Sequence, residues 1–226
     1  MKYRYLDIVT GLFVAVLLIS NVASTKIIAL GPFSFDGGTL LFPLSYIFGD
    51  ILTEVYGYQR SRRVIWTGLI SNLLMAGFFS LIGWAPADPE WTHQEAYQAI
   101  LLYTPRIIAA STTAYFLGEF ANSYVLSRMK ISSGGRHLWR RALGSTIVGQ
   151  LLDTGVFTII AFYGAFSNAL LFNIFISNYL LKIGLEVVNM PLTYLTVNKL
   201  KILEQVDTFD YGVDYNPFRL REKEKE

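Results

Sequence analysis

Apolar residues run along this chain in stretches far longer than the face of an amphipathic helix needs, and the polar residues gather between them. A bilayer core of about 30 Å asks for about 20 mostly apolar residues in a helix. Six stretches meet that need: Leu6 to Ile28, Thr39 to Gly57, Val64 to Ala85, Ile107 to Leu126, Ala142 to Phe162 and Leu170 to Val197. The predicted fold is therefore an all-α integral membrane protein with six transmembrane helices in a compact bundle. The first stretch lacks a small-residue cleavage site and carries Asn21, Ser24 and Lys26 in its second half, so it reads as a retained span rather than a signal peptide. In the sixth, Pro191 is placed to kink the helix, and the stretch is long enough for the helix to continue past the membrane.

The connections are short, with two exceptions. Gly31 to Gly38 reads as a tight turn or small hairpin. Pro86 to Arg106 is acidic and carries Trp91, Tyr97, Ile100 and Leu101, a pattern that suits a helix lying at the membrane interface. From Glu204 the chain is charged to its end, so residues 1–203 are taken as the transmembrane domain and 204–226 as a solvated cytoplasmic tail. Cytoplasmic loops collect lysine and arginine. Placing both termini in the cytoplasm puts 16 of the 19 basic residues inside, with Arg106 outside and Lys26 and Lys182 within or at the edge of spans.

Composition sharpens this picture. Of 226 residues, 53% are hydrophobic and only 16% charged, against about 25% charged in an ordinary soluble domain. The absence of cysteine excludes a disulfide framework, thiolate metal sites and a cysteine nucleophile. A net charge of +2 gives no reason to expect a nucleic-acid partner.

Ionisable residues inside spans carry the chemistry, because a charge in hydrocarbon costs about 3 kcal/mol or more and persists for a function. There are six: Asp50 and Glu54 on span two, Glu119 on span four, Asp153 on span five, and Lys182 and Glu186 on span six. At about 1.5 Å per residue, Asp50, Glu119, Asp153 and Lys182 fall roughly 16 to 18 Å from a helix start, near the midplane. Residues four apart share a face, which joins Asp50 to Glu54 and Lys182 to Glu186. Asn122 and Gln150 flank the acids, and Asn21, Asn72, Asn173 and Asn178 add to a polar interior. Lys182 with Glu186 is either a buried pair that fixes packing or part of a site. Lone amides such as Asn72 and Asn173 are read as interhelical glue, and Lys26 as snorkelling to the surface. Five acids against one lysine leave an excess that requires protonation or an entering cation. This suits a transporter for a donor-rich or cationic solute, with H+ or Na+ as coupling ion. Catalysis is not expected: His93 and His137 lie in loops, no local serine motif suggests a nucleophile, and Asp50 and Asp153 lack the settings of two-aspartate intramembrane proteases. No resident metal or cofactor is expected.

At these residues the chain resembles a known family. Phe42-Pro43 followed by Gly49-Asp50-Ile51-Leu52-Thr53-Glu54-Val55-Tyr56-Gly57 is similar to the second-helix signature of the queuosine precursor transporters, also classed as vitamin-uptake-type transporters. Arg106-Ile107 with Ala109, Gly118-Glu119, Gln150, Asp153-Thr154 with Phe157, and Lys182 ahead of Pro191 extend the resemblance from about Asn21 to Val197. It implies a six-helix inner-membrane importer of 7-cyano-7-deazaguanine, 7-aminomethyl-7-deazaguanine or queuine, which feed a tRNA modification. Asp50, Glu54, Glu119, Asn122, Gln150, Asp153, Lys182 and Glu186 would then form the substrate site. A carboxylate can accept the paired N–H donors of a deazaguanine, an amide or lysine can serve its carbonyl, and Tyr46, Phe48, Tyr56, Tyr115, Phe116 and Phe157 are candidate stacking rings. A second reading is the substrate-capturing subunit of an energy-coupling-factor transporter, which depends on a separate ATPase assembly. A purely structural membrane protein is a third, opposed by the midplane acids. The expected partners are a purine-like solute, lipid and the coupling ion; a homo-oligomer is allowed.

Overall fold

The computed structural model describes residues 3–23, 25–30, 33–102, 105–164 and 167–219. Ser24, Gly31, Pro32, residues 220–226 and the side chains of Tyr46 and Arg106 lie outside the described part. Seven α-helices carry the architecture: α1 Leu6–Ala23, α2 Phe42–Tyr56, α3 Tyr58–Trp84, α4 Gln94–Leu101, α5 Pro105–Ser132, α6 Leu138–Phe162 and α7 Asn168–Glu204. A small antiparallel hairpin, β1 Ile27–Leu30 and β2 Phe33–Asp36, follows α1 where the sequence predicts a turn. The protein is an all-α membrane protein.

The structure bears out the predicted spans in part. On length and apolarity, α1, α3, α6 and α7 are able to cross a bilayer, among the described residues. Two of the six expected spans fall short. The 15 residues of α2 reach about 22 Å, because the chain first makes a single 3-10 turn over Gly37–Leu40 and enters α2 with a proline in its first turn. In α5, length is ample, but Ser111, Thr112, Thr113, Glu119, Asn122 and Ser123 dilute the apolar run. The first span also ends earlier than predicted, at Ala23, where the Thr25 hydroxyl donates to the Val22 carbonyl. The sixth is longer: α7 carries Pro191 within it and runs 37 residues, about 55 Å, well beyond a bilayer core.

Both termini of the helical bundle meet at one end. Glu204, the last residue of α7, accepts from the backbone N–H groups of Arg4 and Tyr5 at 2.8 and 2.7 Å and from the Tyr56 hydroxyl at 2.9 Å. Its carboxylate thus faces the N-terminus of α1, where the helix dipole favours negative charge. The same end holds the α2–α3 junction, made by Gly57 alone at φ +85°, a conformation that glycine adopts without strain.

The segment after Glu204, expected to be solvated, instead folds back on this end. The Asp210 carboxylate accepts from the Tyr58 N–H and the Ser127 hydroxyl, Arg62 donates to the carbonyls of Asp214 and Asn216, and the Trp66 indole donates to the Pro217 carbonyl. Aromatic contacts complete the strap, with Tyr215 on Tyr58 and Phe218 on Trp66 and Phe116. The charge run conceals Phe209 and Tyr215, which become half-buried, while Tyr211 and Phe218 stay largely exposed.

Candidate functional site

The most extensive helix contact joins α5 and α6, and two glycines make it possible. A Cβ on Gly118 would stand 2.7 Å from the Asp153 Cβ, and one on Gly149 2.9 Å from the Asn122 Cβ. The backbones therefore meet at near-minimal separation, as small residues allow within membranes. Gly49 does the same on α2, where a Cβ would lie 3.3 Å from a Glu119 carboxylate oxygen. Each glycine precedes a polar residue, giving Gly49-Asp50, Gly118-Glu119 and Gly149-Gln150. Close approach of the backbone carries the next side chain into a shared polar interior.

At its centre Lys182 of α7 donates to Asp153 of α6 at 2.7 Å, with side chains 12% and 24% exposed. Spacing along the helix offers Glu186, one turn on, as a partner of Lys182. The structure corrects this: the ion pair crosses between helices. Glu119 lies against Gly49, while Asn122 packs on Gly149. The side-chain carbonyl oxygens of Asn122 and Gln150 have no hydrogen-bond partner among the described residues, nor do any of the carboxylate oxygens of Asp50 and Glu186.

Glu54 does not join this group. It is 0% exposed and bound by three cations: Arg141 donates through Nε and Nη2 at 3.2 and 2.6 Å, Lys201 at 2.7 Å, and the Lys130 ammonium lies 3.5 Å away. Lys130 also donates to the Glu54 and Thr208 carbonyls and to Asp207. The carboxylate therefore ties α2, α5, α6 and α7 together at the end where the termini meet. In the sequence, Arg141, Lys130 and Lys201 signal only which side of the membrane the loops face. Long aliphatic stems let such terminal cations reach inward.

Among the candidate rings, Tyr56 donates to Glu204, Tyr115 approaches the Ile65 carbonyl at 3.4 Å, and Phe116 packs with Trp66, Phe120 and Phe218. These are occupied in packing. On α7, Phe175 stacks on Tyr179 at 5.8 Å and 13°, the Tyr179 hydroxyl donates to the Ile147 carbonyl at 3.1 Å, and a Cβ on Gly155 would be 3.6 Å from Phe175. Phe175, Tyr179, Lys182 and Glu186 are spaced four, three and four along α7, a helical stripe that the sequence shows once one end is known to be polar. Asn173 and Asn178 are exposed rather than interior. Asn21 donates to Asn72 at 2.9 Å, joining α1 to α3, and Lys26 is exposed beyond α1.

The family described as "Putative vitamin uptake transporter" matches residues 36–196, which hold every acid of the interior and Lys182. A "Probable queuosine precursor transporter" of Bacillus subtilis (strain 168) is 31% identical over 190 residues, 81% of this chain and 82% of that protein. The "Queuosine precursor transporter" of Escherichia coli (strain K12) is 26% identical over 162 residues, 72% of this chain and 71% of its own length. A third relative, a "Probable queuosine precursor transporter" of Haemophilus influenzae, is 28% identical over 143 residues, 61% and 58% of the two chains. No solved structure matches. The apolar helices, the polar interior and these similarities agree: the chain belongs to the vitamin uptake transporter family and is a multi-pass membrane transporter, not an enzyme.

Proposed function

We propose that this chain is a secondary importer of the inner membrane that takes up a queuosine precursor of the 7-deazaguanine class, crosses the membrane six times and keeps both termini in the cytoplasm. The names of its relatives support the solute class. Six crossings are supported by connectivity: the start of α1, the α2–α3 junction, Lys130 near the end of α5, Arg141 near the start of α6 and the end of α7 all converge on the network around Glu54 and Glu204. That convergence supports a reading in which α2 and α5 traverse the bundle as the other long helices do. The basic residues at this end support its cytoplasmic side.

The observation that carries the reading is the Asp153–Lys182 pair in a partly open interior. Without solute the ammonium holds the carboxylate. An arriving deazaguanine presents a ring N–H beside an exocyclic amine, and this fork replaces the ammonium on Asp153, which never loses its hydrogen bonds. Lys182, released, donates to the solute carbonyl, and Glu119, Asn122 and Gln150 supply further polar contacts. The Phe175–Tyr179 pair offers a flat face for the heterocycle. Asp50 and Glu186, closed off from solvent, stand outside these contacts.

Uptake of labelled deazaguanines tests the reading in cells that cannot make them and that lack both their own transporter and any energy-coupling-factor assembly. Uptake with this chain alone is expected. Uptake that appears only when an ATPase assembly is added would make the chain a capture subunit instead.

A further inference from the structure

Where α2, α5 and α6 meet, three acceptor groups stand without a donor among the described residues. Two contacts fix their place. Gly118 of α5 meets Asp153 of α6, and Gly149 of α6 meets Asn122 of α5, at the closest approach of the two helices. Glu119 and Gln150 each follow one of these glycines, so both stand beside that contact. A Glu119 carboxylate oxygen and the Asn122 amide nitrogen converge on the backbone of α2, 3.3 and 3.8 Å from the position a Cβ on Gly49 would take. Gln150 is 7% exposed, and its side-chain oxygen, like that of Asn122, has no hydrogen-bond partner among the described residues. None of the ion pairs among those residues includes Glu119: Lys182 is bound to Asp153, and Lys130, Arg141 and Lys201 to Glu54. Glu119 and Asn122 are half-buried, which leaves them within reach of a solute that enters beside the partly open Asp153–Lys182 pair.

We infer that Glu119, with the side-chain oxygens of Asn122 and Gln150, forms a subsite for a primary ammonium group, and that this subsite selects a solute with an aminomethyl arm over one with a nitrile. The choice of solute rests on the proposed import function. An alkylamine keeps its proton well above neutral pH, as lysine does, and an ammonium presents three donors and no acceptor. One carboxylate and two amide oxygens answer those three N–H groups, and the carboxylate supplies the opposite charge. A nitrile offers only an acceptor. It would set its lone pair against the Glu119 carboxylate and leave both amide oxygens buried without donors. In 7-aminomethyl-7-deazaguanine the arm is carried by the five-membered ring and the fork of N–H groups by the six-membered ring, so the arm is free for Glu119 while the fork binds Asp153.

Calorimetric titration of the purified protein in lipid nanodiscs with the two compounds tests this. The unaltered protein should bind 7-aminomethyl-7-deazaguanine about tenfold or more tighter than the 7-cyano compound. Glu119→Gln keeps the size of the side chain and removes its charge, and should abolish the preference. Gly49→Ala keeps the charge but sets a methyl against the carboxylate oxygen, and should lower the preference in part. Equal or tighter binding of the nitrile by the unaltered protein overturns the subsite, as does a preference that survives Glu119→Gln. If that variant does not fold, Gly49→Ala decides, and an undiminished preference there overturns the subsite. Binding of neither deazaguanine would instead bring down the proposed function. Benzylamine and benzonitrile then read the subsite without the base, through the unfolding temperature: stabilisation of the unaltered protein by the amine alone, lost in Glu119→Gln, upholds it, and any other result overturns it.

Discussion

Glu54 and Asp153 are both intramembrane carboxylates held by cations, yet their surroundings give them different duties. Glu54 neutralises Arg141 and Lys201 directly and lies within reach of Lys130, all out of solvent or nearly so. Glu54→Gln leaves buried Arg141 without a carboxylate and Lys130 and Lys201 with Asp207 alone, and should cost about 3–5 kcal/mol, read as a lower unfolding temperature in detergent. Asp153→Asn removes one hydrogen-bonded charge partner of Lys182, which is partly exposed, so the protein should insert and melt almost as before while uptake is lost. The sequence identified both acids as costly and hence functional, since neither has a reason to be in an apolar run. It could not assign their partners. Residues four apart on one helix are visible from spacing, but the true partner of Lys182 lies 29 positions away, and the cations of Glu54 lie at helix ends where topology alone explains them.

At the scale of elements, close packing of α5 on α6 is what assembles the site. Gly118→Val would drive a branched side chain into Asp153 and the Gly149 carbonyl, and the folded yield should collapse. Gly149→Ala is the milder version, expected to cost about 1–3 kcal/mol by the same measure. Gly77 of α3 has open space where a Cβ would go, so Gly77→Ala should leave the melting temperature unchanged or raised, by up to about 1 kcal/mol of stability. Equal effects at the three positions would contradict the packing account. Helix existence was legible in hydropathy for all six long helices. Their ends were not, because they are set by local hydrogen bonds and tertiary contacts: Thr25 stops α1, a 3-10 turn delays α2, and the contacts of Lys201 and Glu204 carry α7 past its apolar stretch.

Over the whole molecule, residues 205–219 brace the end where α2 meets α3 and the two termini converge. Its aromatics were visible in the sequence, but among so many charges they did not signal packing. Burial opposes ionisation of Asp207, and hydrogen bonds from Lys130 and Lys201 outweigh it, holding its carboxyl below the usual range. Its contribution to stability is therefore present above about pH 4, the unfolded range, and is lost as pH falls through the lower folded value. With Asp207→Asn the unfolding temperature should fall less steeply on acidification than in the unaltered protein; its side chain is 47% exposed, so the difference should be small and shrink with salt. All of this scaffold serves one exchange, in which solute takes the place of Lys182 on Asp153. The measurement that bears on it most directly compares labelled deazaguanine uptake by the unaltered chain and by Asp153→Asn, at matched membrane levels, in cells with no other source of deazaguanine. Uptake by the first and background counts for the second is the result the account predicts; equal uptake by both would contradict it.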